Sequence, residues 1–223
     1  MIKIPILTKG IDMVSHFIKP VPGILVLGGS SASTSLELLS TDNPGQDNCL
    51  VNDYPRSLSM EPSANFVAGK LVTCYGGQCE IYNNGVWSYL VSTIYSRQYH
   101  SSAQTEDKIL LIGGTTSYST EWISLDGSPS QNGPFSVRNR YYHCTIQLSP
   151  DLIVVTGGYI GNYDYVTEYH LTTGAERVLS SLSQGRYFHA CGVYQNAGQQ
   201  VSSFSFSTLL FKVDCELYYA SCT

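Results

Sequence analysis

Three short segments bring an arginine, an aromatic ring and a histidine together: Arg97-Gln98-Tyr99-His100, Arg140-Tyr141-Tyr142-His143 and Arg186-Tyr187-Phe188-His189. Imidazoles ligate metals and move protons, and guanidinium groups grip carboxylates, phosphates or acidic sugars. Four glutamates also recur, Glu37, Glu80, Glu121 and Glu168, and paired carboxylates are what glycoside hydrolysis needs. Four apolar runs end in glycine pairs, at Gly28-Gly29, Gly76-Gly77, Gly113-Gly114 and Gly157-Gly158. A strand running into glycines is also how a phosphate-binding loop begins.

The surroundings of these residues weaken each chemical reading. A phosphate loop requires G-x-G-x-x-G, or a Gly-Lys-Ser/Thr ending that opens a helix. No lysine follows any of the pairs, and polar, strand-like segments come next. A metal site requires converging histidines, whereas a motif repeated once per unit spreads His100, His143 and His189 at unit-to-unit distance. His170 lies on another strand and His16 in an irregular start, so no metal and no cofactor is expected. The glutamates fall on equivalent strands of separate units, which favours solvated or ion-paired roles. No G-x-S-x-G elbow, H-E-x-x-H pair or familiar Cys-His spacing occurs. A residue repeated with the fold usually serves the fold, the arginine bonding carbonyls and the ring covering the edge of the core. The competing reading, in which the arginines and their rings line one face and hold an acidic or sugar ligand, stays open.

What positions these residues is a repeat. The glycine pairs follow one another at intervals of 48, 37 and 44 residues, and the third Arg-x-aromatic-His copy lies 46 residues after the second. From histidine to the next glycine pair is 13 residues in one unit and 14 in the next. Each unit reads as a strand, a short turn, an unbroken apolar strand, Gly-Gly, a loop, a half-polar strand, a turn and a weak outer strand. The unbroken run suits burial on both faces, and the later strands alternate as half-exposed ones do. Asn84-Gly85, Asp126-Gly127 and Thr173-Gly174 mark turns. Four strands in about 45 residues is the pattern of a β-propeller blade, so the fold class is expected to be all-β. Alanine at either glycine of a pair should clash or strain the chain.

Bulk composition agrees. Of 223 residues only 13% are charged, about half the usual ~25%, while 17 are tyrosine. That balance favours strands over helices. A net charge of −5 with no basic run excludes an electrostatic nucleic-acid binder. No apolar stretch approaches the ~20 residues of a membrane-spanning helix, and the N-terminus lacks the long apolar core of a signal peptide. Seven cysteines lean towards an extracellular setting, although the count is odd and no Asn-x-Ser/Thr sequon occurs.

Taken together, the doublets after each second strand and Trp87 near the expected aromatic marker position, with Trp122 and Tyr169 sitting earlier, within the third strand, make the chain resemble the Kelch-repeat family, of the galactose oxidase/Kelch-type propeller superfamily, over roughly Gly23 to Tyr194. The resemblance implies a Kelch-type β-propeller of about four four-stranded blades and a partial fifth. Residues 1–22 form an irregular N-terminal segment, 23–194 the blades, and 195–223 a divergent tail without a glycine pair. Such propellers have roughly six or seven blades, so an incomplete ring is expected, with self-association if it stays open; a small closed ring is the alternative. The function implied is a non-enzymatic scaffold binding a protein or glycan through loops at one end of the blades. The matching positions are Thr115, Ser117, Tyr159 and Tyr163 after the glycines, and Tyr99, Tyr142 and Tyr187 before the first strands. Arg97, Arg140 and Arg186 would add selectivity for anions if they reach the surface. A galactose oxidase-like or sugar-acting enzyme, and a truncated product without function, are the alternatives.

Cys74 and Cys79 flank a glycine turn and could close a hairpin disulfide if their Cα atoms lie within about 7 Å. Cys144 directly follows its histidine whereas Cys191 stands two residues after His189. Because side chains alternate faces along a strand, those two need not face each other, and their pairing is the weaker expectation. Reduced, buried thiols acting as small hydrophobes are the other reading.

Overall fold

The apolar run Ile109 to Ile112 has no polar face, and its surroundings show why. The computed structural model describes residues 63–191, apart from 84, 85, 139, 160 and 162, together with the backbone of strands outside that range. In chain order the strands are β1 (Gly23–Leu27), β2 (Leu36–Ser40), β3 (Cys49–Leu50), β4 (Ser63–Val67), β5 (Lys70–Tyr75), β6 (Gln78–Asn83), β7 (Val86–Ser92), β8 (Ser101–Gln104) and β9 (Lys108–Ile112). They continue as β10 (Ser119–Ser124), β11 (Gln131–Ser136), β12 (Cys144–Ser149), β13 (Leu152–Thr156), β14 (Val166–His170), β15 (Glu176–Val178), β16 (Val193–Asn196) and β17 (Gln199–Ser202). Among the described residues there is no helix.

Three antiparallel four-stranded sheets result, each in sequence order: β4-β5-β6-β7, β8-β9-β10-β11 and β12-β13-β14-β15. A three-stranded sheet, β1-β2-β3, precedes them, and the hairpin β16-β17 follows. Among the described strands none pairs across sheets, so no ring is closed. Gly28-Gly29, Asn84-Gly85, His16, residues 1–22 and the chain from 203 onward lie outside the described residues.

The middle sheet is packed on both faces. Ile109 and Leu111 of β9 join Val72, Cys74, Cys79 and Ile81 of the preceding sheet in one core. Leu110 and Ile112, pointing the other way, join Ile153, Val155 and Tyr169 of the following sheet in a second. All four β9 side chains are fully buried. Each such burial contributes roughly 1.5–3 kcal/mol, and none would survive a one-residue register slip, which exchanges the two faces. The exposed outer strand β15 ends its sheet with polar and apolar residues alike facing solvent.

The first strands of adjacent sheets meet through polar side chains. Ser102 Oγ donates to Asn65 Oδ1 at 3.1 Å, the Ser101 and Thr145 hydroxyls share a hydrogen bond, and Gln147 Nε2 donates to the Gln104 carbonyl at 2.6 Å. Successive units are thus apolar between sheets and hydrogen-bonded along their first strands.

The four glutamates lie on equivalent strands, each the strand that follows a doublet, but register separates their positions along it. The residue before each doublet opposes Leu36, Gln78, Thr120 and Val166 in turn. Counting from there, Glu37 and Glu121 share one register position, while Glu80 and Glu168 lie one step further along their strands. One step is the opposite face of a sheet. Thr167 therefore occupies the place of Glu121 in the next sheet.

Candidate functional site

Every Arg-x-aromatic-His segment precedes the first strand of a sheet, and among the described residues the doublets at Gly76-Gly77, Gly113-Gly114 and Gly157-Gly158 each follow a second strand that pairs with a first. Because Cys144 pairs with Thr156, the segment before β12 and the loop after β13 leave their sheet at the same end. The functional question is what gathers there.

Backbone bonds build this end unit by unit. The Tyr142 amide donates to the Tyr99 carbonyl at 3.1 Å, and the Phe188 amide to the Tyr142 carbonyl at 3.0 Å. Tyr99, Tyr142 and Phe188 all adopt left-handed backbone, with φ of 57°, 55° and 52°. Bulky residues rarely hold that conformation, and here the ladder and the stacked rings impose it. Tyr142 lies 4.1 Å from Tyr99 and 3.4 Å from Phe188 between ring centroids.

The doublets fit into the next unit's motif. The Gly114 amide donates to the Arg140 carbonyl and the Gly158 amide to the Arg186 carbonyl, at 3.2 and 2.8 Å. A Cβ on Gly113 would come within 2.6 Å of the Arg140 oxygen, and one on Gly157 within 2.3 Å of the Arg186 oxygen. The expectation of a clash fails at Gly76, where no atom lies within 4 Å of an added Cβ. There the doublet forms the two-residue turn of a hairpin, and only its positive φ calls for glycine.

Arg97 and Arg140 do not reach the surface, so the condition for anion selectivity is unmet by these two; each is 1% exposed. Arg97 donates through Nε to Glu121 Oε2 at 3.2 Å and through Nη1 to the Gly113 and Ser119 carbonyls, both at 2.7 Å. Burial lowers the pKa of both arginines. Arg186 is half-buried, with its amide bonded to the Tyr163 carbonyl at 2.6 Å.

The histidines are equally absorbed. His100 Nε2 bonds Ser63 Oγ at 2.9 Å, His143 Nε2 bonds Ser101 Oγ at 2.7 Å, and His189 Nε2 bonds Thr156 Oγ1 at 2.9 Å. Burial, helped by Arg97, lowers the His100 pKa to about 3, and burial with Arg140 does the same for His143. His189 falls to about 4, again by burial first and Arg186 second. All three are neutral side chains holding the preceding unit. Among the described residues no three His, Cys, Asp or Glu side chains are grouped as a metal site.

Among the described residues two disulfides form. Cys74 and Cys79, directly opposite in the β5-β6 ladder, bond across the Gly76-Gly77 turn with Cα atoms 4.1 Å apart. Cys144 and Cys191, the weaker expectation of the two pairings, also bond, with Cα atoms 6.0 Å apart. Alternation fails because Cys191 is not on a strand: it lies in irregular chain beyond the left-handed turn at Phe188. Cys144 occupies the place after histidine that Ser101 holds one unit earlier. Ser101 receives His143, whereas His189 turns to Thr156.

What stays accessible is a cluster of rings. Tyr159 lies 5.3 Å from Tyr141, 5.8 Å from Tyr163 and 5.2 Å from Tyr187, and Tyr187 lies 5.8 Å from Phe188. Tyr141 touches Tyr142 at 4.9 Å, joining these rings to the Tyr99-Tyr142-Phe188 stack. Tyr159, Tyr163, Tyr187 and Phe188 are 37–55% exposed. Tyr163 is held by the chain around Gly185, where a Cβ would meet Tyr163 Cβ at 2.4 Å.

The structure thus brings Tyr99, Tyr142, Tyr159, Tyr163 and Tyr187 into one contiguous group. Thr115 and Ser117 sit one unit away, Thr115 bonded through its amide to the Gln98 carbonyl at 3.0 Å and Ser117 through its hydroxyl to Ser119. Spacing alone had overlooked Tyr141 and Phe188. Aligning the motif position by position would have found both, since Phe188 matches Tyr99 and Tyr142, and Tyr141 matches Tyr187.

The same alignment pairs Thr115 with Tyr159 and Gln98 with Tyr141. The backbone bond is the same in both units: the Thr115 amide to the Gln98 carbonyl, and the Tyr159 amide to the Tyr141 carbonyl at 2.8 Å. The fold therefore needs a backbone at these places and accepts threonine and glutamine as readily as tyrosine.

No family model and no curated relative matches the chain. Among solved structures its fold is similar to that of YjhT, with a TM-score of 0.64 at 12% sequence identity, covering 79% of this chain and 70% of that one. At that identity the likeness is one of fold.

Proposed function

We propose that this chain is a Kelch-type propeller segment that works as a non-enzymatic binding scaffold, taking a protein or glycan partner on its tyrosine cluster. The observation that carries this reading is the substitution pattern at equivalent backbone positions. Tyr141 and Tyr159 stand where the neighbouring unit has Gln98 and Thr115 on the same hydrogen bond. Rings that the fold does not demand, partly exposed and mutually touching, are the kind of surface that binds. Tyrosine presents a large amphipathic area with little rotamer entropy to lose, and contiguous exposed aromatic area marks an interaction surface.

A scaffold role is further supported by where the reactive groups are. His100 and His143 are buried, all three repeated histidines are hydrogen-bonded, and Glu121 and Glu168 are paired with arginines. The stacked four-stranded sheets, joined first strand to first strand, support blades arranged about an axis near Tyr99, Tyr142 and Phe188.

The test is a binding screen of the full chain against a glycan panel and purified extracellular proteins, repeated with Tyr159→Ala/Tyr163→Ala/Tyr187→Ala. Binding to a ligand that the triple variant loses while keeping its melting temperature within a few degrees supports the reading. A ligand held equally by both proteins places the binding surface elsewhere.

A further inference from the structure

Arg97 and Arg140 open the same motif in adjacent units and are equally buried, yet they are not equally paired. Arg97 has Glu121 on its Nε. At the equivalent register position Arg140 meets Thr167, since Leu111 opposes Glu121 and Val155 opposes Thr167. Arg140 donates through Nη1 to the Val155 carbonyl at 3.0 Å and through Nη2 to Thr167 Oγ1 at 2.8 Å. Its Nε is buried without a hydrogen-bond partner.

A second buried donor lies nearby. Tyr169 lies two residues beyond Thr167 on the same face of β14, is 0% exposed, and its hydroxyl, near that of Thr167, makes no hydrogen bond of regular geometry. Phe135 stacks on its ring at 4.3 Å, and the Tyr165 ring stands 5.9 Å from the Arg140 guanidinium. The carboxylates of this region are engaged elsewhere. Glu168 points to the opposite face and takes two bonds from Arg177, and Glu176 pairs with Arg138 at 2.6 Å.

Guanidinium keeps its proton at any pH a folded protein meets, and a buried charge without a counter-charge is strongly unfavourable. We propose that the pocket bounded by Arg140, Thr167 and Tyr169 binds a halide-sized monovalent anion, which plays for Arg140 the part that Glu121 plays for Arg97. The ligand must be acceptor-only, because the groups facing it are N–H and O–H donors. It must be small, because Arg140, Thr167 and Tyr169 are all essentially inaccessible. A water molecule would satisfy the donors and leave the charge.

The test measures thermal unfolding of the full chain in chloride, bromide and methanesulfonate at constant ionic strength. Raising chloride from about 5 mM to about 500 mM against methanesulfonate raises Tm by roughly 5 °C or more, as binding to the native state requires. Thr167→Glu, which restores the register carboxylate, abolishes that dependence. Identical melting in chloride and methanesulfonate overturns the proposal. If Thr167→Glu does not fold, anomalous diffraction from wild-type crystals grown in bromide decides. A bromide peak beside Arg140 Nε and the Tyr169 hydroxyl supports the site, and no peak there overturns it.

Discussion

Arg97 Nε donates to Glu121 Oε2 at 3.2 Å with neither side chain more than 1% exposed, so a formal ion pair ties the chain entering β8 to β10 of the same sheet. Glu121 also accepts from the Ile94 amide, in the chain linking β7 to β8. Removing one partner strands the other charge in the core. Glu121→Ala is expected to lose about 3–5 kcal/mol in urea denaturation. A loss below about 1 kcal/mol would show that the pair is solvated in solution.

The glycines give a ranked prediction. Gly157→Ala must displace the Arg186 carbonyl and His189, whereas Gly76→Ala meets nothing and bears only the cost of a left-handed alanine, about 1–2 kcal/mol. Melting temperatures should therefore fall much further for Gly157→Ala than for Gly76→Ala. The reverse order would contradict the packing of the doublet against the next unit.

His100 and His143, lowered to about 3, are neutral when folded and protonate near 6.5 when unfolded. The unfolded chain binds more protons across that window, so stability is full above pH 6.5 and is lost as pH falls towards 3. Between pH 7 and pH 5 each should contribute a loss of about 2 kcal/mol, before most carboxylates titrate. His143→Gln, able to keep a bond to Ser101, should flatten the slope. An unchanged slope would mean that other groups carry it.

The two disulfides close loops of different length, with 47 residues separating Cys144 from Cys191 and 5 separating Cys74 from Cys79. Chain entropy gives about 4 kcal/mol for the longer and about 2 kcal/mol for the shorter. Cys144→Ser/Cys191→Ser should lower Tm more than Cys74→Ser/Cys79→Ser. Alkylation of the native chain without reductant should leave all four unmodified; labelled Cys144 or Cys191 would refute that bond.

For the ring cluster, Tyr163→Ala removes a side chain that is 37% exposed and touches Tyr159 and Tyr187 by its ring edge. Its stability cost should stay near 1 kcal/mol, as for a partly exposed position. Once a ligand is known, affinity should fall at least tenfold. A variant that unfolds instead would show the ring to be core.

The repeat was legible because burial on both faces leaves an unbroken apolar run, which Ile109 to Ile112 displays. The fate of Arg97 and Arg140 was not, because a guanidinium is buried only by the way the next sheet docks. The strand that carries Glu121 and Glu168 was legible, but not that they face opposite sides of it, because spacing counts loop residues whereas the ladder ignores them. The Cys144-Cys191 bond was hidden for a related reason: it depends on irregular chain after Phe188, where strand alternation has no meaning. Of the ring cluster, the tyrosines could be guessed by type, but their contact required the left-handed turns that aim them at one another.

The seating of the Gly113-Gly114 and Gly157-Gly158 doublets against the arginine and histidine of the following unit has a bearing on how such a chain can be cut or lengthened. The unit counted along the sequence and the unit that is structurally complete are out of phase: a doublet is satisfied only by residues some thirty positions downstream. Deleting one whole copy leaves a new neighbour to fill the same socket, and so conserves the contact of glycine with the arginine carbonyl in kind. Ending the chain after a doublet uncovers Gly157 and its like to solvent and removes the ladder bond at Phe188. Gain or loss of material is tolerated when it begins at one arginine and ends before the next, which fixes the quantum in which this architecture can grow.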